Sequence, residues 1–375
     1  MSDWTKARRA RTLITLALVS LVMVLLYVAR SALLPFVLGV ILAYIVLPVV
    51  NWLHSRAPSQ LRKRPLSRTL AVVLTYLLLL LVLVGALTLT IQPIAAQVNF
   101  LVRELPDFAR KVYSAVPEVV QVWWDRYKQI VPADIQLTLQ RSIDSMVQSL
   151  VEALQAGVFK TVGVAFGTVS FVFGLIIVPL WTFYLLRDQP RIAYAFYRRI
   201  PAAYREDVRN VQTLIDTVLG AYLRGQLILC LSIGIMTTGG LQIIGVDLAL
   251  LLGTIAGILE IVPTLGPILA AIPVILVTLA TSPSKILWAV LLAIAVQQVE
   301  NLFLVPRVAS ETVKLHPALV MLILVSGSAL AGIWGIILGV PIAAVLRDVV
   351  HYLYLRLSDE PPSPREAMAR LRAQS

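Results

Sequence analysis

The chain has 375 residues, 59% of them apolar and only 14% charged, with a formal charge of +12. Soluble domains carry roughly a quarter charged residues, so this composition excludes an ordinary water-soluble fold and points to an all-α, polytopic membrane protein of about eight membrane segments. The excess base would suit nucleic acid in a soluble protein; here it clusters just outside apolar segments, as cytoplasmic loops do, and no nucleic-acid partner is expected.

The first apolar stretch, Leu13 to Ala29, follows Lys6, Arg8, Arg9 and Arg11. It is longer than a signal-peptide core, lacks a small-x-small cleavage site and runs almost directly into the next apolar segment, so it is read as a retained helix. A second helix follows from about Leu33 to Leu53, with Pro35 in its first turn and Pro48 as a kink. The loop with Arg56, Arg62, Lys63, Arg64 and Arg68 carries no acid and is placed in the cytoplasm with the N-terminus. A third helix, about Leu70 to Ile91, closes an N-terminal membrane region of residues 1–91.

Residues 92–158 are expected to form a small helical extracytoplasmic insertion. Acids and bases are nearly balanced there, and Pro93, Pro106, Pro117 and Pro132 punctuate it. Residues 159–216 hold a fourth helix, about Val162 to Leu186, then a basic cytoplasmic linker with an interfacial helix around Asp207 to Asp216. A C-terminal membrane core is expected over residues 217–357, opening with a fifth helix, about Val218 to Ile244, and the outward turn Gly245-Val-Asp247. Residues 358–375, rich in Pro, Arg and Glu, read as a disordered cytoplasmic tail.

Within that core the run Leu248 to Thr281 is too long for one crossing. As a straight helix it would extend about 50 Å against a hydrocarbon core of about 30 Å. Its middle reads Glu260-Ile-Val-Pro263-Thr-Leu-Gly266-Pro267, where the prolines remove backbone donors and the carboxylate needs a partner or a proton at membrane depth. Two halves of about 14 residues, Leu248 to Val262 and Ile268 to Thr281, suit a re-entrant hairpin. After Ile286 to Val305, a final run from about Leu315 to Leu346 is also over-long and weak at its centre, Ser326 to Gly335. Two tilted spans or two re-entrant hairpins both return the C-terminus to the cytoplasm. The hairpin scheme, favoured on length and breakers, puts Arg307 and Lys314 inside and Lys285 outside; plain spans do the reverse. The tripeptide Leu-Arg-Asp closes both the fourth helix, at Leu186 to Asp188, and the final run, at Leu346 to Asp348.

Four polar groups interrupt apolar surroundings and are candidates for a substrate or ion pathway. They are Glu260 with Pro263, Gly266 and Pro267; Gln297, Glu300 and Asn301; Arg224 and Gln226; and Ser326 and Ser328. On a helix Gln297, Glu300 and Asn301 share a face, while Gln298 points elsewhere. Blander readings stand beside these. Glu300 and Asn301 lie close to Pro306 and Arg307 and would be solvated at the interface, Arg224 would snorkel or pair with Asp216, and Glu260 would satisfy donors freed by its breakers. The lone Cys230 reads as a packing residue, and His54, His316 and His351 have no metal-ligand spacing. No intramembrane catalytic motif is present, and neither a cofactor nor a metal is expected.

Several stretches resemble the autoinducer-2 exporter family: Pro35-Phe-Val-Leu-Gly39 through Pro48, Tyr222-Leu-Arg-Gly-Gln226, Glu260 through Pro267, Gln297 through Pro306-Arg307, and Leu315-His316-Pro317 with the glycine-rich run after it. The resemblance implies a bacterial cytoplasmic (inner) membrane permease that exports a small polar molecule such as autoinducer-2. In other relatives it implies Na+(Li+)/H+ antiport, and for both a homo-oligomer, a pentamer among the implied states. The expected partners are therefore the lipid bilayer, a small polar solute, and H+ or Na+. A membrane scaffold that transports nothing would explain the insertion but not Glu260.

Overall fold

The computed structural model describes residues 20, 24, 28, 30–58, 65–127, 141, 145, 169–263, 265–308, 315–358 and 360–374. Helix 1 of the sequence reading falls almost wholly outside them, as does most of the second half of the insertion. Among the described residues every regular element is a helix: α1 Arg30–Arg56, α2 Pro65–Tyr127, α3 Val169–Arg199, α4 Arg205–Ile244, α5 Ala249–Leu259, α6 Leu265–Thr281, α7 Ile286–Val299, α8 Val305–Val308, α9 Pro317–Ala331, α10 Ile333–Arg356 and α11 Pro364–Gln374. A π-helical turn, Glu300–Leu304, joins α7 to α8. Among the described residues five helical stretches are long and apolar enough to cross a membrane, and α5, α6 and α9 are apolar but shorter. The chain is a polytopic helical membrane protein.

Three helices differ from expectation. α2 does not end near Ile91 but continues through Pro93, Pro106 and Pro117 to Tyr127, so the third membrane helix and the start of the insertion are one rod. α3 runs past Leu186 to Arg199, and the expected interfacial helix 207–216 is the first part of α4. The cause in α4 is visible in its pattern: Val211, Leu214 and Val218 continue one apolar stripe with no breaker between Asp216 and Val218.

The described residues fall into two compact units, Met1–Thr75 with Gly167–Phe196, and Tyr76–Phe166 with Tyr197–Ser375. In the first unit α3 lies close against α1 at Gly39. Thr182 Oγ1 donates to the Gly39 carbonyl at 2.8 Å, and a Cβ on Gly39 would sit 2.6 Å from the Trp181 ring. α2 joins this pair through Arg68, whose Nε donates to the Leu186 carbonyl at 2.7 Å.

In the second unit α4 is the axis, with α5, α7, α10 and α11 packed on it. α4 and α5 touch backbone to backbone. A Cβ on Gly253 would fall 2.7 Å from the Gly234 carbonyl oxygen, and one on Gly257 2.6 Å from that of Cys230, the small-x-x-x-small geometry of membrane helix pairs. α9 and α10 form a second hairpin, turning at Gly332 (φ 59°) and pressed together where Gly327 meets Gly335. The final run is thus broken, as its composition suggested.

The expected disordered tail is instead a folded helix. Ala367, Met368 and Leu371 of α11 are buried with Leu214 of α4 and Tyr352 of α10. Asp207 accepts from Arg356 Nε at 2.6 Å, Arg356 Nη2 at 3.1 Å and the Tyr352 hydroxyl at 2.7 Å. Asn210 Nδ2 donates to the Pro364 carbonyl, and Arg356 Nη1 to that of Pro362. Polar composition misled the reading because three apolar residues at helical spacing suffice when a ready-made surface awaits them.

The Asp207 cluster predicts that Asp207→Ala will raise amide exchange of residues 364–374 by about tenfold or more, at 1.4 kcal/mol per decade for charge-assisted bonds of this kind. Exchange in α5 and α6 should not change. Glu366 accepts from the Ser363 N–H at 3.0 Å, and the Ser363 hydroxyl accepts from the Glu366 N–H in return. These bonds hold the Glu366 carboxyl below its usual range. Its contribution is therefore complete above the ordinary glutamate value of about 4.3 and is lost as pH falls through the lowered one. Protection of α11 measured from pH 7 down to pH 3 should decline in that low window, and less steeply in Glu366→Gln.

Candidate functional site

The site begins with where α5 and α6 start and stop. At 1.5 Å per residue the two are about 16 and 25 Å long, each short of a 30 Å core. Lys285 Nζ, after α6, donates to the carbonyl of Gly245, which caps α4 before α5. The run thus leaves the bundle at the end where it entered, and α5 and α6 are the two arms of a hairpin. Leu248 takes a left-handed conformation (φ 61°) and offers α5 no side-chain cap. Gln97 of α2 supplies it, its Oε1 accepting from the Leu251 N–H at 2.8 Å.

At the tip the backbone resolves its own loss of donors. Gly266 N–H donates to the Val262 carbonyl at 2.8 Å and Leu265 N–H to that of Pro263 at 2.8 Å. Gly266 is needed because a Cβ there would lie 2.5 Å from the Leu259 carbonyl oxygen and 2.9 Å from Glu260 Cα. Gln226 Nε2 of α4 donates to the Glu260 carbonyl and ties the end of α5 to the axis. With backbone partners in place, the Glu260 side chain is not spent on freed donors.

Its carboxyl turns toward Glu300, and the two hydrogen-bond to each other. Glu260 is 1% exposed and Glu300 7%, so interface solvation does not describe Glu300. Gln297 Nε2 donates to Glu300 Oε2 at 3.0 Å, while Glu260 Oε2 and the Tyr222 hydroxyl are buried and unpartnered among the described residues. A hydrogen bond between two carboxyl groups needs a proton on one of them, so a pair this close is suited to share a proton. A cavity of about 50 Å³ adjoins Glu300, lined among others by Thr237, Pro267, Val296 and Gln297. That is room for a few waters or an ion.

The structure brings together Glu260, Gly266, Pro267, Gln226, Gln297 and Glu300, with Pro263 in the turn. Asn301 is exposed and lies outside the site. The inward face of α7 is set by Ala289, Leu292, Val296 and Glu300; Asn301 falls about 100° further round the helix. Gln298 is exposed. The Arg224 guanidinium folds over Gly220 on its own helix and does not line the cavity. Ser326 and Ser328 donate to the carbonyls of Leu322 and Val325 in their own helix. Sequence reasoning missed Thr237 and Gln97; a lone amide in a punctuated polar segment gives no sign that it caps a helix about 150 residues away. Among the described residues no three His, Cys, Asp or Glu side chains cluster as metal ligands.

A family model described as AI-2E family transporter matches residues 16–355. The chain is 32% identical to "Putative transport protein YueF" of Bacillus subtilis over 86% of its length and 85% of the relative's. Identity is 28% to "Putative transport protein YrrI" of the same organism, over 88% and 89%. It is 26% to "Putative permease PerM" of Escherichia coli, over 73% and 77%.

The close fit at the tip predicts that Gly266→Ala will destabilise the protein by about 1–3 kcal/mol, the usual cost of forcing atoms into a packed site. Gly239→Ala, where a Cβ would meet nothing within 4 Å, should be neutral or stabilising by up to about 1 kcal/mol. Melting of the two variants in one detergent checks the contrast.

Proposed function

The chain belongs to the AI-2E family of transporters, and from that premise we propose that it is a secondary transporter exporting a small polar molecule, autoinducer-2 or a related metabolite, coupled to a proton or monovalent-cation gradient. The observation that carries this reading is the buried, hydrogen-bonded pair Glu260 and Glu300 at a break in two membrane helices. Ionisable groups at membrane depth are costly and typically mark proton or ion pathways. A pair that shares one proton can release it to one side and accept another, or a cation, from the other.

The size of the adjoining cavity divides the labour. About 50 Å³ suits a proton carrier, water or a small cation; the exported molecule needs a larger space, opened by movement of the α5–α6 and α9–α10 hairpins. Na+(Li+)/H+ antiport is the second reading, favoured by the carboxyl oxygens of Glu260 and Glu300, which suit a hard cation. In both readings the protein acts without catalysis or cofactor, as a homo-oligomer in the bacterial inner membrane, with both termini cytoplasmic. Membership of a transporter family, together with the buried acid pair, favours these readings over a scaffold.

Proteoliposome flux under an imposed pH gradient tests the coupling role. Glu260→Gln and Glu300→Gln should each lower gradient-driven transport by at least about a hundredfold, and full gradient-driven flux in Glu260→Gln would remove the pair from the mechanism. For sidedness, a Cys230→Ala background carrying Lys285→Cys or Lys314→Cys should be labelled from opposite faces, Lys285→Cys from outside. Cytoplasmic labelling of Lys285→Cys would reject the re-entrant scheme.

A further inference from the structure

A cleft of about 400 Å³ in the first unit takes no part in the site above. It lies between the first turns of α2 and the middle of α3 and is lined by Leu66, Arg68, Thr69, Arg187, Asp188, Pro190 and Arg191. Three guanidinium groups face one carboxylate there. Small-molecule sites occupy about 300–1,000 Å³, so the volume is ample for a lipid headgroup.

Two of its three arginines, Arg68 and Arg187, are held in place. Arg68 is anchored by the Leu186 carbonyl and Gln189 Oε1. Arg187 forms a two-point pair with Asp188, at 3.1 and 2.8 Å, and lies over the Tyr184 ring at 4.9 Å. A guanidinium has five N–H donors in a fixed fork, and these bonds use two on each side chain. Asp188 offsets one charge, with Arg191 Nη1 3.8 Å away and the Arg191 side chain 74% exposed.

The cleft lies at the start of an apolar helix. The apolar stretch of α2 that is long enough to cross a membrane begins at Leu66, a cleft residue 70% exposed, and Leu70 one turn on is 56% exposed. Arginine donors in a pocket at the end of an apolar helix, with exposed leucines beside them, match a phosphodiester whose acyl chains run along that helix. We propose that this cleft binds the phosphate of an anionic phospholipid. The lipid lies across α2 and α3 and braces their junction.

Purified protein in a neutral detergent, melted with phosphatidylglycerol or with phosphatidylcholine at equal mole fraction, tests the assignment. Phosphatidylglycerol should raise the melting temperature more than phosphatidylcholine. The double variant Arg187→Gln, Arg191→Gln should lose most of that difference. Arg198→Gln with Arg199→Gln removes the same charge from exposed positions of α3 outside the cleft and should keep it. Equal loss in both double variants, or no difference between the lipids, overturns the proposal. A shift that inorganic phosphate alone reproduces overturns the assignment to lipid. Should Arg187→Gln fail to fold, Arg191→Gln alone, at an exposed side chain, should reduce the difference; an unchanged difference counts against the cleft.

Discussion

In an apolar bundle every backbone donor and acceptor must find a partner within the protein, and the ends of short helices are where that demand is hardest to meet. The α5–α6 hairpin creates four such ends at once. Each is answered from a different place: Gln97 on α2 for the start of α5, Gln226 on α4 for its end, the Gly266 N–H bond to the Val262 carbonyl for the start of α6, and the Ser282 N–H bond to the Thr278 carbonyl for its end. The hairpin therefore exists only as part of the second unit. Its polar side chains are left for other work because others' side chains have done the capping.

Close approach of the backbones is the second half of the same solution. Gly253 and Gly257 let α5 lie directly on α4, and that contact brings Gln226 within reach of the Glu260 carbonyl. Without it the tip would stand away from the axis, and the carboxyl of Glu260 would not be delivered to Glu300. The π turn that starts at Glu300 adds the matching irregularity on the opposite side. π turns inside helices are frequent at functional sites, where an extra residue re-aims a side chain.

Much of this was legible in the chain. An acid, two prolines and a glycine inside a long apolar run announce a break, and the break lies within a few residues of its expected position. Helical phase gave Gln297 and Glu300 together and Gln298 apart, yet it misplaced Asn301, because the inward direction of α7 is decided by which of its apolar residues meet α6. Composition alone also misread α2 and α11. Pro93, Pro106 and Pro117 did not stop α2, and a charged tail with three spaced apolar residues folds where Tyr352 and Leu214 already offer a surface. The two Leu-Arg-Asp tripeptides do share a local form, each an adjacent arginine–aspartate pair at 2.8 Å. That likeness follows from their composition and needs no repeat.

The position of the acid pair explains why a proton and a conformational change would be linked here. Glu260 belongs to the tip of a hairpin and Glu300 to a neighbouring helix, so their shared hydrogen bond is also a tie between two elements. With one proton the tie is attractive; with none, two like charges face each other where little solvent screens them. Under the proposed coupling, loss of the proton would push the tip from α7, and a cation entering the adjoining cavity would draw it back. The tip is also attached through Gln226 and the α4–α5 glycines, which tie it to α4. A carboxylate pair confined to one rigid helix would gain the same proton chemistry but could not convert it into displacement.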